Sequence, residues 1–384
     1  MIILNELPFR FMESKGFRHC MLVACPRFRV PSRWTVARDC YQLYIDEKTH
    51  LKQFMKSSLT RVSLTTDTWT SLQMVNYMCL TAHFIDKDWK LNEKILNFCL
   101  IFSHKGEAIG EVIEKCLRDW GIDKIFTVTI DNASSNDVTI AYLRKKFNNA
   151  RTSILGGKYL HLRCIAHIVN LIVCDGFKEM NEIIARVRGA IRYVRQSPSR
   201  LAKFKECIVN EHIQSKSLLC LYVSTRWNST YLMLDAAHKF ERAFDAFDDV
   251  DPYYRSELLM RDGVPDQNDW AIVRKFYLFL QQFYDLTVKV SGTSYVTSNT
   301  FLDDICDVYS TLREWQLNPD VELNAMAKRM KDKYDKYWGN IENMNMLVYI
   351  ASFLDPSKKF PFVEYCFMKI YSSDEASLMI KKVQ

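Results

Sequence analysis

The sequence predicts an α/β chain whose second half is helical throughout, and three observations carry this. Glycine is scarce, 11 of 384 residues, below the ~7% of average proteins, which argues against a turn-rich all-β barrel. Between residues 61 and 164, short runs of β-forming residues alternate with runs of helical spacing. From about 177 to 340 the amphipathic helical rhythm is continuous and no strand stands out. At 48% hydrophobic residues the chain can bury a sizeable core. Its length leaves room for two or three domains at ~150 residues each.

Residues 1–60 read as mostly helical, interrupted at Pro26 and Pro31, with a clear helical rhythm over 34–56. A short strand follows from Arg61 to Thr66 and runs into Asp67. Asn76 to Ile85 is rich in β-formers, and Trp89 to Phe102 continues as a third strand after an Asp86–Asp88 turn. Ile109, Val112, Ile113 and Leu117 have helical spacing, and Gly121 suits the left-handed position that ends a helix. Lys124 to Ile130 reads as a buried strand running into Asp131. A helix follows to about Phe147, then a fifth strand over Lys158–Cys164 and a helix from about Ala166. The order β-β-β-α-β-α-β-α, a meander feeding alternating units, is that of an RNase H-like layer architecture. The polar gap Asp248–Asp269 reads as a connecting loop inside the helical region. Asn345 to Phe360 reads as helical until Asp355-Pro356. The expected organisation is an N-terminal helical segment (1–60), a first core part (61–176), a helical insertion (177–340) and a return to the core (341–384).

Fifty-two basic against 45 acidic residues leave a net charge of +7, so nucleic-acid affinity must come from local patches. The twelve cysteines contain no CxxC pair and no zinc-ligand rhythm, which suggests reduced thiols. The start, MIILNELPFRFMESKGF, lacks the basic and apolar regions of a secretory signal. No apolar run approaches the ~18 residues of a membrane helix; the longest stretch without formal charge, Thr68 to Ile85, is interrupted by Ser71, Gln73 and Asn76. A soluble intracellular protein with no membrane partner is expected.

Asp67 and Asp131 each follow a strand, and ligand-binding groups in α/β sheets gather beyond strand ends. Two carboxylates there can share a hard divalent cation such as Mg²⁺ or Mn²⁺ for phosphoryl transfer. The alternatives are a turn or cap residue for Asp67 and an N-cap for Asp131. Cys164 and His167, one helical turn apart, offer only half a zinc site, and read first as a buried thiol beside a hydrogen-bonded imidazole. The stretch from Ile184 to Lys205 holds seven cations and no acid. Within it Arg188, Arg192 and Arg195 share a face by i, i+4, i+7 spacing, beside apolar Ile184, Val187, Ile191 and Val194. That stripe is either a phosphate-binding footprint or a solvated face. Arg226 and Trp227 suit a phosphate and an unpaired base, or Trp227 is core packing.

Taken together, these residues resemble the hAT transposase superfamily in its plant zinc-finger-BED, Ricesleeper-like branch. The matching stretches, in family order, are Leu64–Thr70, Asn76–Phe84, Asp131–Asn136, Cys164–His167, Thr225–Thr230 and Leu354–Pro356. The resemblance implies an RNase H-like core interrupted by a large all-helical insertion, acting in the nucleus on DNA. It implies metal-dependent DNA cleavage with Mg²⁺ or Mn²⁺, and makes Asp67 and Asp131 the first two metal-binding acids. Cys164 and His167 match the element near the active site. Trp227 matches the residue that stacks on a flipped base beside an arginine, here Arg226.

Three departures shape the expectation. No Cys/His array of a BED finger precedes Asp67, and the Ser-Glu-Arg-Phe-Ser-like motif carrying the third acid is not found. Ser357 stands where the family has arginine. The sequence therefore reads as a truncated, DNA-binding transposase derivative that does not cut. An active transposase with its missing parts supplied in trans is one alternative, and a domesticated protein-interaction module is another. Self-association, or association with a full-length transposase, belongs to the same set of expectations.

Overall fold

The structure, a computed structural model, describes residues 1–58, 61–215, 217, 219, 227–292 and 295–383. It divides into two compact units, Met1–Val128 with Asp137–Leu160, and Thr129–Asn136 with His161–Gln384.

The first unit opens with a 3₁₀ turn, Phe9–Glu13, and helices α1 (Lys15–Ala24) and α2 (Arg33–Ser58). Strands β1 (Val62–Thr70), β2 (Asn76–Ile85) and β3 (Leu91–Leu100) form an antiparallel meander. Leu64, Met78, Leu80, Ala82 and Phe84 point to one face and are almost fully buried, the period-2 pattern of a half-covered sheet. The β2–β3 turn is closed by the Asp86 carboxylate, which accepts from the Asp88 and Lys90 amides at 3.0 and 2.9 Å. Trp89 has φ +61°, so it belongs to this turn and β3 begins two residues later than its composition suggests. Helix α3 (Gly106–Trp120) ends as expected at Gly121, φ +69°. The start of β4 (Ile125–Ile130) lies beside the start of β1, with Val62 N–H on the Lys124 carbonyl at 3.0 Å. Helix α4 (Ser134–Asn149) packs on α3 so closely that a Cβ on Gly110 would sit 2.6 Å from the Tyr142 ring. Among the described residues the strand order is β3-β2-β1-β4-β5, a mixed sheet in an α/β chain.

In the second unit β5 is only His161–Arg163, shorter than expected, because the preceding residues form a 3₁₀ turn with positive φ at Gly156 and Gly157. Then come α5 (Ile165–Arg195), α6 (Pro198–Asn210), α7 (Trp227–Ala237), α8 (Glu241–Val250), α9 (Tyr254–Leu259), α10 (Gln267–Val290), α11 (Phe301–Trp315), α12 (Val321–Tyr334), α13 (Met346–Phe353), α14 (Phe360–Ile370) and α15 (Ser373–Val383). The long α5 is the centre of the unit, and α7, α10 and α12 pack along it. Its apolar stripe, including Ile184, Val187, Ile191 and Val194, is buried. The gap read as a loop between Asp248 and Asp269 contains α9. Tyr254 and Leu258 of α9 are buried, and the Tyr254 ring meets Tyr193 and Phe247 edge-on, so tertiary packing gives this polar segment a helix. The strand-like run Leu218–Val223, except for Leu219, lies outside the described residues.

Candidate functional site

Asp67 does not close β1. The strand runs three residues further, pairing Thr68, Trp69 and Thr70 with Met78, Tyr77 and Asn76. Alternation puts Asp67 on the exposed face opposite Leu64 and Thr66. One carboxylate oxygen accepts from the Thr68 amide at 2.9 Å. The other has no hydrogen bond among the described residues. On the same face lie Trp69, Tyr77 and Phe98, whose ring centres are 5.4–6.0 Å apart. Motif reading missed this trio, because the three rings meet only through the pairing of β1, β2 and β3.

Asp131 sits directly after β4 and half buried. Its Oδ1 accepts from the Ala133 amide at 2.8 Å and from Asn136 Nδ2 at 2.5 Å. This is an Asx turn ahead of α4, three residues upstream of the first helical residue. Oδ2 carries no hydrogen bond among the described residues. The neighbouring Asn132 ties the turn to β5: its Oδ1 accepts from Arg163 at 3.2 Å and its Nδ2 donates to the Cys164 carbonyl at 3.5 Å. Asn345 adds a bond to the His161 carbonyl at 2.8 Å. Cys164 is the N-cap of α5 and His167 lies in its first turn, both half buried. Among the described residues no group of three or more His, Cys, Asp or Glu is placed to hold a metal. The free oxygens of Asp67 and Asp131 are hard donors and fit Mg²⁺ or Mn²⁺ in kind.

All three stripe arginines lie on α5. Arg192 and Arg195 are exposed, and neither has an acidic partner among the described residues. Arg188 is half buried; its Nε is buried without a hydrogen bond. Burial, then repulsion from Arg192, pull its pKa below the ordinary value, with Asp262 opposing. Other cations of the run are neutralised by acids distant in sequence. Arg186 pairs with the buried Asp269, and Arg200 with Glu257 at 2.7 Å while lying 3.6 Å over the Tyr193 ring. Lys203 lies 3.9 Å from Asp251. The run lacks acids in sequence but not in space.

Trp227 opens α7 and is 4% exposed. As placed, its indole is core packing and offers no free face to a base. Arg226 lies outside the described residues.

Residues 65–159 match the ZBED1 RNase-like domain, residues 162–277 the ZBED1 RNase-like helical domain, and residues 299–384 the hAT-like transposase RNase-H fold. The chain is a hAT-family relative. It is 34% identical over 98% of its length to zinc finger BED domain-containing protein RICESLEEPER 2 of Oryza sativa subsp. japonica, covering 51% of that protein. RICESLEEPER 1 from the same plant is 33% identical, with the same coverage. DAYSLEEPER of Arabidopsis thaliana is 28% identical over 97% of this chain and 52% of its own length. This hAT relative thus spans about half the length of the proteins it matches. Among its described residues no helix is long and apolar enough to cross a membrane.

Proposed function

We propose that this hAT relative binds DNA through the outward face of α5, with Arg188, Arg192 and Arg195 taking backbone phosphates, and works in the nucleus. The observation that carries the reading is selective: Arg186, Arg200 and Lys203 have acidic neighbours, whereas among the described residues Arg192 and Arg195 have none and Arg188 keeps a buried, unbonded Nε. Arginine forks suit phosphate oxygens. Binding of this kind weakens steeply as salt rises, because each phosphate contact releases counterions. Arg226 and Trp227 remain part of the proposed surface if the start of α7 opens on binding.

Residues 61–176 and 341–384 are proposed as the two RNase H-like parts and 177–340 as the insertion. Within them Asp67 and Asp131 would hold Mg²⁺ or Mn²⁺, each by its free carboxylate oxygen, with Cys164 and His167 in the neighbourhood of Asp131. A divalent ion supplies Lewis acidity to phosphoryl transfer. Asn136 and the Ala133 amide hold the Asp131 carboxylate in one orientation. Two acids hold such an ion weakly, so residues 1–384 are proposed to bind DNA without cutting it. Self-association, or pairing with a full-length transposase, would supply further acids.

The test is fluorescence anisotropy with duplex DNA across about 50 to 200 mM salt. Charge reversal of Arg188, Arg192 and Arg195 is expected to weaken binding and flatten the salt dependence; unchanged binding refutes the α5 surface. A nuclease assay with Mg²⁺ or Mn²⁺ checks the second part. Cleavage by the wild type that disappears in Asp67→Ala would sink the non-cutting reading.

A further inference from the structure

Between Arg10 and Arg38 the chain has seven Lys or Arg residues and one acid, Glu13, so this segment accounts for six of the seven net positive charges. All seven cations are exposed. The single acid is used internally. Glu13 accepts from the Arg33 amide at 3.1 Å and pairs with the Arg33 guanidinium at 3.3 Å. Arg38 lies 3.1 Å from Asp39. Arg10, Lys15, Arg18, Arg27 and Arg29 have no acidic partner among the described residues.

These cations stand on folded structure. Ser14 Oγ caps α1 by accepting from the Phe17 amide at 3.3 Å, and the Phe11 and Phe17 rings pack 5.1 Å apart. The 3₁₀ turn Phe9–Glu13 packs on both α1 and α2. Phe28 lies between Arg27 and Arg29 in sequence and is 47% exposed; Trp34 is 76% exposed, with the Arg33 guanidinium 5.8 Å over its ring. Exposed aromatics among unpaired arginines suit nucleic acid, whose phosphates take the forks and whose sugars and bases take the rings. Six of the seven cations are arginine, the residue with the geometry for phosphate pairing. On α1, Phe17 and Met21 are half buried, so the helix lacks the continuous exposed apolar face of a membrane-surface helix.

We propose that residues 10–38 form a second DNA-phosphate surface, separate from α5; this rests on the DNA-binding reading and adds a site to it. Arg10, Lys15, Arg18, Arg27 and Arg29 each engage a backbone phosphate, with no sequence preference of their own.

The experiment compares wild type, a variant with alanine at those five positions, and an Arg192→Glu/Arg195→Glu variant on labelled duplex DNA. Five lost contacts should reduce the slope of log K against log salt by about 4.5, at about 0.9 per contact, so that the loss of affinity grows steeply as salt is lowered toward ~50 mM. Lysine in place of Arg10, Arg18, Arg27 and Arg29 keeps the charge and should keep the slope. Thermal melts check that the exposed substitutions leave the fold intact. A wild type that does not bind DNA overturns the DNA reading as a whole. An alanine variant that binds like wild type, while the α5 variant is weakened, overturns this surface alone. Binding to phosphatidylserine-containing vesicles that needs the five cations, with DNA binding that does not, overturns it in favour of lipid.

Discussion

Arg186 and Asp269 are joined by two parallel hydrogen bonds, Nε to Oδ2 and Nη2 to Oδ1, both 2.7 Å. Asp269 also closes the capping box of α10: its amide donates to Asp266 Oδ1 at 2.8 Å and its Oδ2 accepts from the Asp266 amide at 3.0 Å. One buried carboxylate therefore starts α10 and fastens it to α5. Removing it strands a half-buried guanidinium, so Asp269→Ala should cost about 3–5 kcal/mol in denaturant unfolding. Arg186→Ala should leave the salt slope of DNA binding unchanged, since this cation is already neutralised.

Arg188 is the converse case. A partly desolvated guanidinium whose Nε lacks a bond is a cost to the fold. Arg188→Met should change stability by no more than about 1 kcal/mol, in the stabilising direction. DNA affinity should fall at the same time. Melting curves and anisotropy on one preparation read both, and a drop in stability without loss of affinity would make Arg188 a structural residue.

The two carboxylates should separate in the same way. Asp131 makes two hydrogen bonds that organise its turn, so Asp131→Ala should cost about 1–2 kcal/mol. Asp67 is exposed and Asp67→Ala should fall within about 0.5 kcal/mol. Both should weaken Mn²⁺ binding measured by calorimetry. Retention of that binding in both variants would remove them as ligands.

Acid should destabilise the first unit through His83. Its ring nitrogen bonds Thr65 Oγ1 at 2.9 Å, and burial pushes its pKa below the ordinary histidine value, with Glu93 opposing. With the folded pKa depressed, the unfolded chain takes up the proton first. The contribution is complete above the unfolded value of about 6.5 and is lost as pH falls from there through the folded pKa. Unfolding followed from about pH 7 to 5 should show stability falling, and His83→Gln should flatten that fall.

Ser357 serves Asp355. Its amide and hydroxyl donate to Asp355 Oδ1 at 2.9 and 2.6 Å, and Asn299 Nδ2 donates to Oδ2 at 2.6 Å. These bonds, the Ser357 hydroxyl foremost, hold the Asp355 pKa down at about 2. Ser357→Ala should raise it toward the ordinary carboxylate range, read by NMR titration.

The sequence by itself determined the local elements and the family. Richness in β-forming residues located β2 to the residue, helical spacing and Gly121 located α3, and ordered motifs carried the hAT resemblance. Those signals depend on near neighbours in the chain. Their edges were less legible: β1 overran Asp67 because cross-strand pairing with β2 continues past it, and α9 formed in a polar gap because Tyr254 found partners in Tyr193 and Phe247. Charge was the property only tertiary structure decided. Asp269 lies 83 residues from Arg186, and Glu257 lies 57 from Arg200, so an acid-free run in sequence is partly neutralised in space, at three of its seven cations. In residues 10–38 the one acid pairs with Arg33, and five cations have no acidic partner among the described residues. Coulombic pairing acts through distance in space rather than along the chain, which is why composition could count the charges but only the fold could say which are free.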